Sequence, residues 1–207
     1  MTTTTNRYFI INKPYDMVSQ FVNRGSAGKR VRLLGELDFD FPEGIHAVGR
    51  LDSHSEGLLI LTTNKRVTRL LFQGKTPHKR TYLVRVKNIV SPENLEKLQT
   101  GVSIIVKEGA TYITPPCEVS IIDNPQNLFP HQLEFRSYAL HTWLSISLYE
   151  GKFHQVRKMV SAINHPCKRL IRVSIEDLEL GTLEPGKVLE IEEERFFSLL
   201  KIDDWKD

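Results

Sequence analysis

Sulfur is scarce in this chain. Cys117 and Cys167 are its only cysteines among 207 residues. They stand far apart, make no metal-binding spacing, and read as reduced thiols of a cytoplasmic protein. Long apolar runs are also missing: nothing approaches the roughly 20 residues a membrane helix needs. The first six residues, Met1 to Asn6, are polar and threonine-rich, unlike a secretory leader. Asn23-Arg-Gly-Ser-Ala-Gly-Lys-Arg30 superficially resembles a phosphate-binding loop. Its spacing is wrong, and Arg30 stands where Ser or Thr should bind magnesium, which excludes nucleoside triphosphate chemistry there. No metal cluster, dinucleotide loop or Schiff-base signal is present, so neither a metal nor any other cofactor is expected.

What remains is an ordinary soluble composition, 40% hydrophobic and 26% charged, long enough for one domain or two closely packed lobes. The charge is unevenly spread. Residues 1–172 hold 24 Lys and Arg against 14 Asp and Glu, a balance of +10; residues 173–207 hold 4 against 11, a balance of −7. A basic body with an acidic end suits a polyanion, and nucleic acid is the commonest one. The basic loop 23–30 is either an arm for phosphates or a plain surface loop.

The stretch from His46 to Asn64 organises the rest. Gly49-Arg50-Leu51-Asp52 leads through Ser55 to Gly57, then to the apolar run Leu58-Leu59-Ile60-Leu61. Such a run bounded by turn signals predicts a buried strand. A lone carboxylate and a guanidinium are thereby tied to a rigid interior element. Taken alone, Asp52 is either a turn residue pairing with Arg50 or a reactive group held still.

Other elements follow in order. Arg7–Pro14 predicts a strand ended by proline. Asn64 caps a helix over 65–72, closed by Gly74. Lys79–Lys87 alternates as a strand, with Tyr82, Val84 and Val86 on one side. Ser91–Gly101 has a serine cap, a first-turn proline and a glycine stop. Strands are expected over 102–106, 117–122 and 142–149, with a long connection over 123–139. Glu150–Asn164 begins as a turn and continues as a helix whose core face is Phe153, Val156, Met159, Val160 and Ile163. Gln155, Arg157 and Lys158 fall on its other faces. Lys168–Ile175 reads as a strand. The end is a strand and a short acidic helix with Phe196, Phe197 and Leu200 turned inward.

Four of these stretches carry a family likeness. Gly49-Arg50-Leu51-Asp52, Ser55 and Gly57-Leu58-Leu59 resemble the signature loop of the pseudouridine synthases, in the branch that modifies bacterial ribosomal RNA. Glu150-Gly-Lys-Phe-His-Gln-Val-Arg-Lys-Met159 resembles that family's third motif at every fixed position. Asn12-Lys13-Pro14 is similar to its first motif, a structural one. Tyr82 matches the tyrosine of its second, although Arg80, not a lysine, takes the basic position two residues before it.

The resemblance implies an α+β fold: a mixed, mainly antiparallel sheet in two lobes flanked by helices, with the active site in a cleft between them. The whole of 1–207 is expected to be one catalytic domain after a short polar tail, without the small RNA-binding domain many relatives carry ahead of it. The implied reaction cuts the N1–C1′ bond of a uridine, turns the base, and joins C5 to C1′. Asp52 is its nucleophile or its base at the ribose. A carboxylate in a pocket closed to water is hard to keep ionised, and Arg157 is its implied ion partner. Tyr82 packs on the uracil. Arg50 fills the space left when the base flips out of the RNA. Lys152 and Lys158 are candidates for phosphate contacts, and Leu170 lines the base pocket or belongs to the core. The partner is ribosomal RNA, 23S by likeness, and the protein is expected to be a cytoplasmic monomer with no membrane contact.

Two rivals stand beside this. An N-glycosidase would pair Asp52 with Glu56, but nothing in the spacing fixes such a pair. A non-catalytic RNA-binding or ribosome-assembly protein could use the same fold.

Overall fold

A computed structural model describes residues 5–22, 31–74, 76–106, 109–125, 128–131 and 140–206. The basic loop 23–30 and much of the connection over 123–139 lie outside the described residues. The chain divides into two compact units, Met1–His78 with Arg172–Asp207, and Lys79–Ile171. Both mix helices with antiparallel strands, the α+β class expected.

In the first unit, every residue of β1 (Tyr8–Lys13) and β3 (Glu56–Thr62) is buried. Unbroken apolar strings are what strands covered on both faces require. β1 runs antiparallel to β3 on one side and to β11 (Val188–Ile191) on the other, with Ile10 opposite both Ile60 and Leu189. β2 (His46–Val48) also pairs with β3. Phe9, Ile11, Leu59 and Leu61 pack with Met17, Leu34 and Leu51 in one apolar cluster. Tyr8 instead meets Phe196 of α4 (Glu193–Leu199), ring centroids 4.7 Å apart. Phe196, Phe197 and Leu200 are fully buried, as their spacing predicts.

The helix expected from residue 65 is α1 (Arg66–Gln73). The Asn64 side-chain oxygen accepts from the Arg66 N–H at 3.0 Å, while its Nδ2 donates to the Tyr8 hydroxyl at 2.9 Å. The cap position itself falls on Lys65, which makes no side-chain capping bond, and Asn64, one residue earlier, ties the start of the helix to β1.

In the second unit, β4 (Arg80–Lys87) pairs with β8 (His141–Leu148), and β8 with β7 (Glu118–Ile122). Val84, Val86, Leu144 and Ile146 form a core with Val156, Met159 and Val160 of α3 (Gln155–Ala162) and Leu98 of α2 (Pro92–Thr100). The α2 signals act as expected: the Ser91 hydroxyl accepts from the Asn94 N–H at 3.2 Å, and Pro92 opens the helix.

Three departures from the sequence expectation have identifiable causes. The strands β2, β6 (Thr111–Ile113) and β10 (Leu178–Glu179) are two or three residues long, too short for a period to register. β5 (Ser103–Ile105) pairs with β6 as a separate hairpin. Second, Phe153 is not core but 58% exposed. His154 takes a left-handed conformation, φ 56°, so helical spacing starts only at Gln155 and does not reach back to Phe153. Third, Gln155 is buried rather than solvent-facing, because its amide holds the preceding turn.

Gly101 ends α2 with φ 117°, and a Cβ there would collide with the Thr114 carbonyl oxygen. Backbone cannot give way as a side-chain tip can. Gly101→Ala is therefore expected to cost at least about 2 kcal/mol of stability, read as a lowered urea midpoint. A midpoint indistinguishable from wild type would show that the Gly101–Thr114 approach is not tight.

Candidate active site

The loop between β2 and β3 carries Arg50 and Asp52, and its backbone is gripped from three sides. Gly49 opens it at φ 74°, a left-handed conformation that glycine enters at the lowest cost, and a Cβ there would lie 2.7 Å from the tip of the Phe72 ring on α1. The buried Ser19 hydroxyl accepts from the Leu51 N–H at 2.9 Å and donates to the Leu51 carbonyl at 2.8 Å. The Leu51 side chain is buried in the apolar cluster. The Ser55 N–H donates to the Asp52 carbonyl at 3.0 Å, closing a turn that begins at Asp52. Tyr15 stacks on His54, ring centroids 5.3 Å apart. Arg50 is exposed and Asp52 half-buried, on a backbone held by these bonds.

The third grip comes from Lys13, which sequence reasoning assigned only to a structural motif. Its side chain is fully buried. Its ammonium donates to the carbonyls of Pro14 and Met17, each at 2.7 Å, and to that of Ser53 at 3.4 Å. Three acceptors match the three N–H groups of an ammonium. Burial pushes Lys13 down to about 7, opposed by the negative charges of Glu56 and Asp52. A buried lysine beside the residue that follows Asp52 was not legible, because its partners are main-chain oxygens.

The second unit carries the other expected residues. Tyr82 is half-buried on β4, opposite Ile146, and packs against the core. Leu170, on β9 (Cys167–Ile175), is buried within that core. Arg157 is half-buried on α3, with Nη1 3.6 Å from the Cys167 sulfur. Burial raises the Cys167 thiol pKa, with Arg157 opposing the shift. Lys152 is exposed and Lys158 half-buried at the start of α3.

The turn before α3 is also held from beneath. The Gln155 side chain accepts from the Lys152 N–H at 2.8 Å and donates to Glu150 at 2.5 Å. Glu150 also accepts from the Tyr112 hydroxyl on β6 at 2.5 Å. Tyr112 was missed with its strand. The signal for Glu150 and Gln155 lay in the motif itself.

Among the described residues, no group of three His, Cys, Asp or Glu side chains is placed to hold a metal, and no helix is long and apolar enough to cross a membrane.

The Lys13 geometry has a consequence in pH. Its ordinary value is 10.5 and its folded value about 7. Between these pH values the unfolded chain binds a proton that the folded chain lacks, so Lys13 makes stability rise with pH across that window. Lys13→Met should lose this contribution. Relative to wild type it should be less stable at pH 9 than at pH 7, measured by urea unfolding. An equal difference at both pH values would refute the burial of an ionisable amine there.

Residues 7–162 match the family model described as RNA pseudouridylate synthase. A ribosomal large subunit pseudouridine synthase E of Vibrio parahaemolyticus is 37% identical over 187 residues, covering 90% of this chain and 74% of the relative. A protein of the same name from Xanthomonas axonopodis is 34% identical over 178 residues, covering 85% of this chain and 89% of the relative. A solved structure titled as a pseudouridylate synthase superposes with a TM-score of 0.74 at 23% identity, over 94% of this chain and 74% of the other, and so shares the fold. Family model and relatives agree along most of the chain: it belongs to the RNA pseudouridylate synthases, enzymes that isomerise uridine to pseudouridine.

Proposed function

We propose that this enzyme acts on ribosomal RNA, on a uridine of the 23S molecule, with Asp52 as the group that reacts at the ribose. The observation that carries this is the loop around Asp52: a half-buried carboxylate on a backbone locked by Ser19, Lys13 and the Leu51 side chain. The names of the similar large-subunit enzymes support the substrate.

The reaction makes and breaks carbon bonds without net oxidation. N1 leaves C1′, the ring turns, C5 bonds to C1′, the C5 proton leaves and N1 gains one. Asp52 serves either by attacking the sugar or by taking a proton from it. Both roles need an ionised, immobile carboxylate, because misplacement by about 1 Å costs on the order of a hundredfold in rate. Arg157 supplies the fixed positive charge that keeps a carboxylate ionised while water is excluded. Tyr82 offers a ring face to the uracil. Arg50, exposed and two residues from Asp52, enters the RNA stack as the target base flips out, compensating part of an unstacking cost of a few kcal/mol. Lys152 and Lys158 take phosphates, and Leu170 supports the wall behind the base.

Incubation with 23S and 16S transcripts, followed by pseudouridine mapping, tests the substrate. One modified position in 23S and none in 16S is expected. Asp52→Asn should lower turnover at least about a thousandfold while RNA affinity stays within about threefold of wild type. An Asn variant that turns over at the wild-type rate would remove Asp52 from the chemistry. Release of free uracil in place of pseudouridine would make the protein a glycosidase. Tyr82→Phe keeps the ring and should retain most RNA binding, whereas Tyr82→Ala should lose about tenfold. Equal losses in both variants would argue against a stacked uracil.

A further inference from the structure

The turn that opens α3 displays an aromatic ring for which the isomerisation has no use. Phe153 sits 58% exposed between two lysines of the sequence, Lys152 and Lys158. Its ring stacks on the His154 imidazole, centroids 3.8 Å apart and planes 19° from parallel. The Lys158 ammonium lies over the Phe153 ring, 5.3 Å from its centroid, on a flexible stem that a stacking base can displace. The Lys152 ammonium lies 4.9 Å from the Tyr112 centroid. Phe153, His154 and the two lysines lie on one short segment, and Tyr112 of β6 stands against Lys152.

This display is not a loose loop end. Gln155 and Glu150 hold the turn from the buried side, and Tyr112 anchors Glu150. The left-handed His154 is what throws Phe153 outward instead of into the core with Val156 and Val160. Most L residues avoid that conformation, and a glycine would enter it at lower cost. Yet a histidine occupies the position, and its ring backs the phenyl group. A backed, exposed ring flanked by cations is the arrangement that single-stranded nucleic acid recognises: a base stacks on the aromatic face and neighbouring phosphates meet the ammoniums. An apolar protein surface fits poorly, since docking over Phe153 would cover two charged amines.

We infer that Phe153, backed by His154, is a stacking site for an unpaired base of the RNA substrate other than the uridine being isomerised, with Lys152 and Lys158 taking the adjoining phosphates. This rests on the reading of the protein as an rRNA enzyme, and it makes base stacking, in addition to charge, part of substrate grip in the second unit.

The test uses the full-length protein and a fluorescein-labelled oligouridylate, alongside the same backbone without bases. Phe153→Ala, at an exposed position, should keep the wild-type circular dichroism and bind the oligonucleotide about tenfold more weakly. It should bind the base-free strand as wild type does. Phe153→Trp should bind the oligonucleotide as wild type does, with its indole fluorescence quenched beyond any change from Trp143 and Trp205. Affinity of Phe153→Ala within twofold of wild type, or an unquenched indole at 153, would overturn the proposal. Weakened binding to both strands alike would also overturn it, leaving an electrostatic surface in its place. The outcomes separate from those of the rRNA reading: quenching in a protein that modifies no rRNA would leave the stacking site standing and sink the substrate assignment. Wild-type turnover with no effect of Phe153→Ala would do the reverse.

Discussion

One buried lysine ties the candidate active loop to the turn that follows β1. Lys13 spends its three N–H groups on the carbonyls of Pro14, Met17 and Ser53. Two of those belong to the turn after β1, and the third to the loop of Asp52. Taking a charge out of water costs several kcal/mol even after relaxation. Here the negative charges of Glu56 and Asp52 offset part of that cost. Arginine would not serve: its planar fork cannot point three donors at carbonyls around one compact centre, whereas a tetrahedral ammonium can. The lysine is thus a backbone clamp first, and the fold tolerates its burial for the rigidity it brings.

The second unit solves the same problem with neutral and acidic groups. Gln155 and Glu150 hold the turn before α3 through a chain that ends at Tyr112 on β6. In both units a buried polar side chain grips main-chain atoms of a turn. Satisfied polar networks of this kind specify one conformation more sharply than apolar packing does, because each misplaced partner leaves a buried group unpaired. Ser19 repeats the device on a smaller scale by bonding both main-chain groups of Leu51.

The elements legible in the sequence are those whose signal is local and repeated. β3 is visible as a run of apolar residues and α2 through its cap, proline and glycine. α4 shows through Phe196, Phe197 and Leu200. β2, β6 and β10 are not legible, because two or three residues take strand form only when a partner offers hydrogen bonds. Phe153 is misread for a different reason. Its spacing from Val156 and Val160 is helical, but the residue between is left-handed, and a histidine gives no warning of this as a glycine would. Of the candidate site, Arg50, Asp52, Tyr82 and Arg157 stand out through motif spacing. The residues that hold the turns in place do not. Lys13 and Ser19 act on main-chain atoms of residues 53 and 51, and no pattern of side chains records a bond to a distant carbonyl.

The demands of the chemistry explain why the turns are built this way. An isomerisation that returns the base to the sugar it left depends on keeping base and sugar from drifting apart between the two steps. Free energy is therefore better placed in immobility than in reactivity, since positioning alone can be worth about 7–11 kcal/mol of a barrier. A flexible loop would surrender much of that to the entropy of ordering itself around each substrate. Main-chain clamps such as Lys13, Ser19 and Gln155 meet that entropy cost during folding, before RNA arrives. The side chains proposed to meet RNA, Arg50, Lys152 and Phe153, are exposed at the ends of these turns, where their own exposure weakens no core contact.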